Sequence, residues 1–128
     1  MASGVWLYCE SVIPARYNRA VTRDRQEIGS AAERIAAGFL QRRGIDIVES
    51  NVAVGRGEVD LIGRFGGRRI VFEVRSVTTG GNPVDAFDRS KADQLWRLSS
   101  ELGIGRVDLV AVGFSRRFVT IHWIPHII

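Results

Sequence analysis

Apolar residues at 28, 31, 32, 35, 36, 39 and 40 recur at the three- and four-residue spacing of an amphipathic helix. Asp24 followed by Glu27 has the form of a capping box at its start, and Gly44 supplies its stop. The period then changes from 3.6 to two. Residues 45–52 predict a first strand, and the stretch 57–77, interrupted by Gly66-Gly67, predicts a hairpin of two more. Thr78-Thr79-Gly80-Gly81-Asn82-Pro83 has the composition of a loop. A second helix is expected to end near Leu102, with Phe87, Leu95, Trp96, Leu98 and Leu102 as apolar anchors and Gly103 as its stop. Arg106 to Phe114 and Phe118 to Trp123 predict two last strands around Ser115-Arg116-Arg117. The order α-β-β-β-α-β-β predicts an α/β fold with a mixed central sheet flanked by helices. Residues 1–23 show no sustained period, so an N-terminal arm ordered only by docking is expected ahead of a single domain over 24–128.

The hairpin brings chemistry together. A two-residue Gly-Gly loop pairs positions whose numbers sum to 133, which sets Asp60 across from Glu73 and Glu58 across from Arg75, with all four on one face of the ladder. Directly opposite side chains lie about 4.5–5.5 Å apart at Cβ, where like charges destabilise a sheet unless something compensates. A divalent cation held by Asp60, Glu73 and the carbonyl of Val74 is one compensator. The plain alternative is a solvated sheet face with Glu58 and Arg75 as an ordinary cross-strand ion pair.

Composition narrows the partners. At 128 residues and 45% hydrophobic content the chain suits one domain with a real core. A net charge of +4 and a pI near 10.2 suit a protein that meets phosphate. Lys91 is the only lysine among 18 cations. The single cysteine, Cys9, excludes an internal disulfide and a thiolate cluster within one chain. With no membrane-length apolar run and no signal-like start, a cytoplasmic location is expected. Gly55-Arg56-Gly57 lacks the phosphate-loop lysine, no Gly-x-Ser-x-Gly elbow exists, and His122 and His126 are not spaced to share one ion.

Ala32-Glu33, Phe39-Leu40, Arg43-Gly44, Asn51, Gly57 to Ile62, Val71 to Arg75, Lys91, Arg106-Val107-Asp108 and Ile121 to Ile124 together resemble the YraN family of endonuclease-like bacterial proteins. The likeness runs from about residue 26 to the end, and the first helix is also similar to archaeal Holliday junction resolvases. The resemblance implies a restriction-endonuclease-like fold and a Mg²⁺- or Mn²⁺-dependent nuclease site. Carried over by position, Glu33 would be a helix-borne outer carboxylate that orients a metal-bound water. Asp60 and Glu73 would be the metal ligands. Arg75 stands where the catalytic lysine belongs, and Ser76-Val77 depart from the usual Thr-Arg.

Arginine stays charged and clamps phosphate but does not act as a base, whereas lysine offers a compact, titratable ammonium. Lys91 is a candidate substitute for that ammonium, Gln94 one turn on a candidate to position water, and Glu58 a candidate to steer Arg75. Two functions follow. The first is a metal-dependent DNA endonuclease acting on branched or damaged DNA; a separate alternative is a homodimer, as in the resolvase-like relatives, that places two such sites on one junction. The second is a pseudonuclease that keeps the fold as a nucleic-acid-binding or scaffold module.

Overall fold

The computed structural model describes residues 9–14, 25–77, 88–115 and 117–128. The elements are β1 (Cys9–Pro14), α1 (Arg25–Arg42), β2 (Asp46–Val54), β3 (Gly57–Phe65), β4 (Arg68–Val77), α2 (Arg89–Glu101), β5 (Val107–Phe114) and β6 (Phe118–Ile124). The expected order therefore holds from α1 onward, and one strand is added in front. That strand, β1, pairs antiparallel with β6 from Cys9 opposite Trp123 to Pro14 opposite Phe118. The chain ahead of α1 thus contributes an edge strand, which its lack of alternation concealed. Asp24, and with it the capping box expected with Glu27, lies outside the described residues, as do the 78–83 loop and Phe87.

Among the described residues six strands form one sheet in the order β1-β6-β5-β4-β3-β2. Only β4 and β5 run parallel, joined through α2, and the remaining neighbours are antiparallel. This mixed sheet with helices on its faces is restriction-endonuclease-like. The α1 stripe, Ala32, Ala36, Phe39 and Leu40, packs on one face with Leu61, Phe72, Val74 and Val110. Leu95 and Leu98 of α2 pack on the other with Val54, Val59, Ile62 and Val71. β5 is buried on both faces over its first six residues, as a central strand flanked by parallel and antiparallel partners should be.

Trp96 does not anchor α2. It is 50% exposed, because Leu95 and Leu98 already fill the contact with the sheet and residue 96 turns outward with Arg89, Asp93 and Arg97 along an open cleft. Leu102 closes the helix: its N–H donates to the Leu98 carbonyl, and its own carbonyl accepts from Arg69 Nη2 at 2.9 Å. Gly57 allows α2 to approach the sheet, since a Cβ there would lie 2.9 Å from a Leu98 methyl.

Candidate active site

Gly66 and Gly67 both adopt positive φ, 58° and 78°, and the ladder that leaves them runs Phe65–Arg68, Arg64–Arg69, Gly63–Ile70, Ile62–Val71 and Leu61–Phe72. Each pair sums to 133, the register a two-residue loop predicts. The next pair would be Asp60 and Glu73. There the ladder ends. The Asp60 side chain, rather than a β3 carbonyl, accepts the Val74 N–H at 2.8 Å. In continued register Val74 would face Val59, so Asp60 replaces the Val59 carbonyl and the strands separate without orphaning a donor. In a strand the N–H and C=O of one residue point to the same neighbour, so the Val74 carbonyl faces the same gap.

The separation has a visible cause in the alternation. Ile62 and Val59 both pack in the α2-side core, while Leu61 packs on the α1 side, so the alternation breaks at Asp60. Across the β2–β3 ladder, registered pairs stand on either side, Ser50–Leu61 and Val52–Val59, and between them Asn51 adopts φ 51°. A local irregularity of this kind re-aims side chains. It corrects the strict-alternation expectation for Glu58. With Val59 turned to α2, Glu58 points to the α1 side, where its charge raises the pKa of Glu33. Glu58 therefore does not pair with Arg75 and does not steer it.

Arg75 instead turns along its own strand to Glu73, Nη2 to Oε2 at 2.9 Å. Lys91, from the first turn of α2, reaches the same oxygen at 3.5 Å. Its backbone is fixed by the Asp88 cap, whose Oδ1 accepts the Lys91 N–H at 2.8 Å. Gln94 lies one turn on, with its amide beside Gly57. The structure thus brings Asp60, Glu73, Arg75 and Lys91 together, with the Val74 backbone between them. Glu33 and Glu58 form a carboxylate flank on the α1 side of Asp60.

Burial and like charge dominate the electrostatics. Glu73 is 3% exposed, and its carboxyl is pushed up to about 7 by burial and by Asp60, against the pull of Arg75 and Lys91. Side-chain hydrogen bonding with Asp60 adds to the upward shift of Glu73. Glu33 is raised by partial burial, then by Asp60 and Glu58, while a hydrogen bond with Asn51 opposes the shift. Among the described residues no set of three His, Cys, Asp or Glu side chains converges as a ready ligand cluster. Two carboxylates and a backbone carbonyl remain, and that oxygen-only donor set suits Mg²⁺ or Mn²⁺, which keep several of their waters, better than a soft metal.

Residues 32–112 match the uncharacterised protein family UPF0102. A UPF0102 protein of Anaeromyxobacter sp. strain Fw109-5 is 39% identical over 102 residues, 72% of this chain and 77% of its own length. One from Shewanella woodyi is 33% identical over 110 residues, 79% and 91% of the two chains. Another from Marinobacter nauticus is 30% identical over 115 residues, 80% and 93%. The chain belongs to the UPF0102 family, also called YraN. The matched segment runs from Ala32 in α1 into β5 as far as Val112 and includes Glu33, Asp60, Glu73, Arg75 and Lys91.

Two parts of this UPF0102 chain that drew attention in sequence have other positions. Asp108 is fully buried, away from the carboxylate pair. It accepts from Arg106 Nε and Nη2 at 2.9 and 3.0 Å, from Trp123 Nε1 at 2.9 Å and from the His126 N–H at 2.9 Å. It fastens β5 to the C-terminal segment. Asn51 reaches the site through Glu33, a contact that its place in the strand pattern did not predict. An asparagine tolerated in the left-handed region was the available clue.

Proposed function

We propose that this UPF0102 protein is a Mg²⁺- or Mn²⁺-dependent DNA endonuclease of the cytoplasm. The observation that carries the reading is the Asp60–Glu73 carboxyl pair, opened between β3 and β4 and faced by Arg75 and Lys91. Asp60, Glu73 and the Val74 carbonyl would hold the ion. A bound divalent cation supplies a nucleophilic water at neutral pH and stabilises charge on a phosphodiester. Arg75 and Lys91 bind the phosphate from the solvent side, each being about one-third exposed. Glu33 orients water at Asp60. Branched or damaged DNA is the preferred substrate class, by the family's likeness to resolvases, with two copies of the chain acting on one junction.

The second reading is a pseudonuclease that binds DNA without cutting it. What favours it is Arg75, which occupies the lysine position and is itself paired with the buried carboxylate. Cleavage of labelled single-stranded, duplex, flap and four-way-junction DNA in Mn²⁺ separates the two. Activity in wild type that vanishes in Asp60→Asn supports the enzyme. Silence in wild type with activity in Arg75→Lys supports the disabled nuclease. Either form binds DNA through its backbone, so affinity is expected to fall steeply with salt, and salt-independent binding would refute that mode.

A further inference from the structure

Arg75 and Lys91 come from different elements and end on one atom, Glu73 Oε2. That atom belongs to a side chain only 4% exposed, yet its two partners are 34% and 30% exposed. The cations therefore reach inward from solvent to a carboxylate that cannot reach out to them. Neither is held completely. Arg75 Nε is buried with no hydrogen-bond partner among the described residues, and the 3.5 Å Lys91 contact is looser than a charge-assisted hydrogen bond. Two carboxylates, Asp60 and Glu73, face these two cations, and Glu33 and Glu58 add negative charge on the other side of Asp60. Without a metal the cluster offers a phosphate no net positive charge. One divalent ion brings these formal charges to neutrality, and a second makes them net positive.

We propose that Arg75 and Lys91 are displaceable counterions of Glu73, released to the DNA phosphate when a divalent cation takes the Glu73 oxygen, so that metal and DNA binding are coupled. This rests on the metal-site reading above. Because α2 carries Lys91, the coupling crosses from the β4 strand to the helix on that face of the sheet. Lys91 fits the role by its chemistry, a compact ammonium with three donors on a flexible stem that can turn from one acceptor to another. In the free protein the two cations compete with the metal, and in the complex they cooperate with it. Linkage requires the effect to be reciprocal.

The test uses the full chain and two readouts that do not depend on cleavage. Calorimetric titration with Mn²⁺ alone is expected to give about tenfold tighter binding in Lys91→Gln and in Arg75→Gln than in wild type, within the usual range of coupling between sites. Lys91→Arg keeps the charge and is expected to resemble wild type. In the second readout, fluorescence anisotropy of a labelled four-way junction is compared in EDTA and in Ca²⁺, which takes the same oxygen ligands. Wild type is expected to gain about tenfold in DNA affinity with the ion, and the double glutamine variant to gain little. Mn²⁺ affinity that is unchanged or weakened in both glutamine variants overturns the proposal while leaving the metal site standing. An equal gain in wild type and the double variant does the same. Absence of Mn²⁺ binding in every variant overturns the metal-site reading as well, whereas binding that appears only when Lys91 or Arg75 is removed supports the competition.

Discussion

Glu73→Gln tests the energetic character of the site directly. The Glu73 carboxyl titrates near 7 in the fold against 4.5 in the unfolded chain. Between those values the native state holds a proton that the unfolded state has released, so stability falls as pH rises. The favourable contribution is complete below the unfolded value and lost as pH passes through the folded one. At about 1.4 kcal/mol per unit, the shift corresponds to roughly 3 kcal/mol of instability once Glu73 is ionised. Glutamine keeps the shape, can donate to Asp60 and does not ionise. It also leaves Arg75 and Lys91 with one carboxylate fewer, which offsets part of the gain.

Urea unfolding in EDTA from about pH 5 to about pH 8 reads this out. Glu73→Gln is expected to match wild type near the acid end and to exceed it by about 1–3 kcal/mol at the alkaline end. His122, held below its ordinary value by burial, contributes the opposite slope in the acid range, but it is common to both proteins and cancels in the difference. Wild-type stability that is flat across this window, or a Glu73→Gln curve parallel to it, would refute the reasoning.

Asp108→Ala should cost about 3–5 kcal/mol, because it leaves the part-buried Trp123 indole N–H, the His126 amide and the Arg106 guanidinium without their acceptor; equilibrium unfolding measures it. Gly63→Ala should cost about 1–3 kcal/mol in the same assay, since the new Cβ would stand 2.5 Å from Ile45 Cγ2 and 2.8 Å from Phe72 Cε2 in the α1-side core. Trp96→Ala should change stability by less than about 0.5 kcal/mol, as an exposed residue outside the core does, and a loss above about 2 kcal/mol would contradict its outward position.

The hairpin was legible because a loop of two glycines fixes the register by itself, and the α1 stripe because seven apolar positions agree on one period. Glu58 was misplaced because strict alternation carries a side chain to the wrong face when one residue departs from it, and the departure lies at Asp60. The Lys91 contact was readable only as an idea. Whether α2 delivers it to Glu73 depends on the close approach of Leu98 at Gly57, a packing event between segments far apart in sequence. β1 was missed since six residues without alternation carry little signal, and it is recognised only through its partner β6. The expectation that Trp96 anchors α2 failed for a different reason, since apolar character alone does not say which face of a helix already has its core filled.

Local consistency breaks at the point where the charged groups gather, which is where a sequence under functional demand departs from the rules of its fold. Asp60 has two roles at once. Its carboxylate is half of the pair with Glu73, and it is the acceptor that lets β4 leave β3 without a wasted N–H. The second role needs an oxygen but not a charge. Asparagine supplies the oxygen, so Asp60→Asn removes the charge while keeping the Val74 hydrogen bond and the gap between the strands. Alanine removes both and frees the Val74 N–H to seek the Val59 carbonyl, which would close the gap and move Glu73. Loss of function in Asp60→Asn therefore speaks to the chemistry of the pair, whereas loss in Asp60→Ala mixes that chemistry with the strand geometry that creates it.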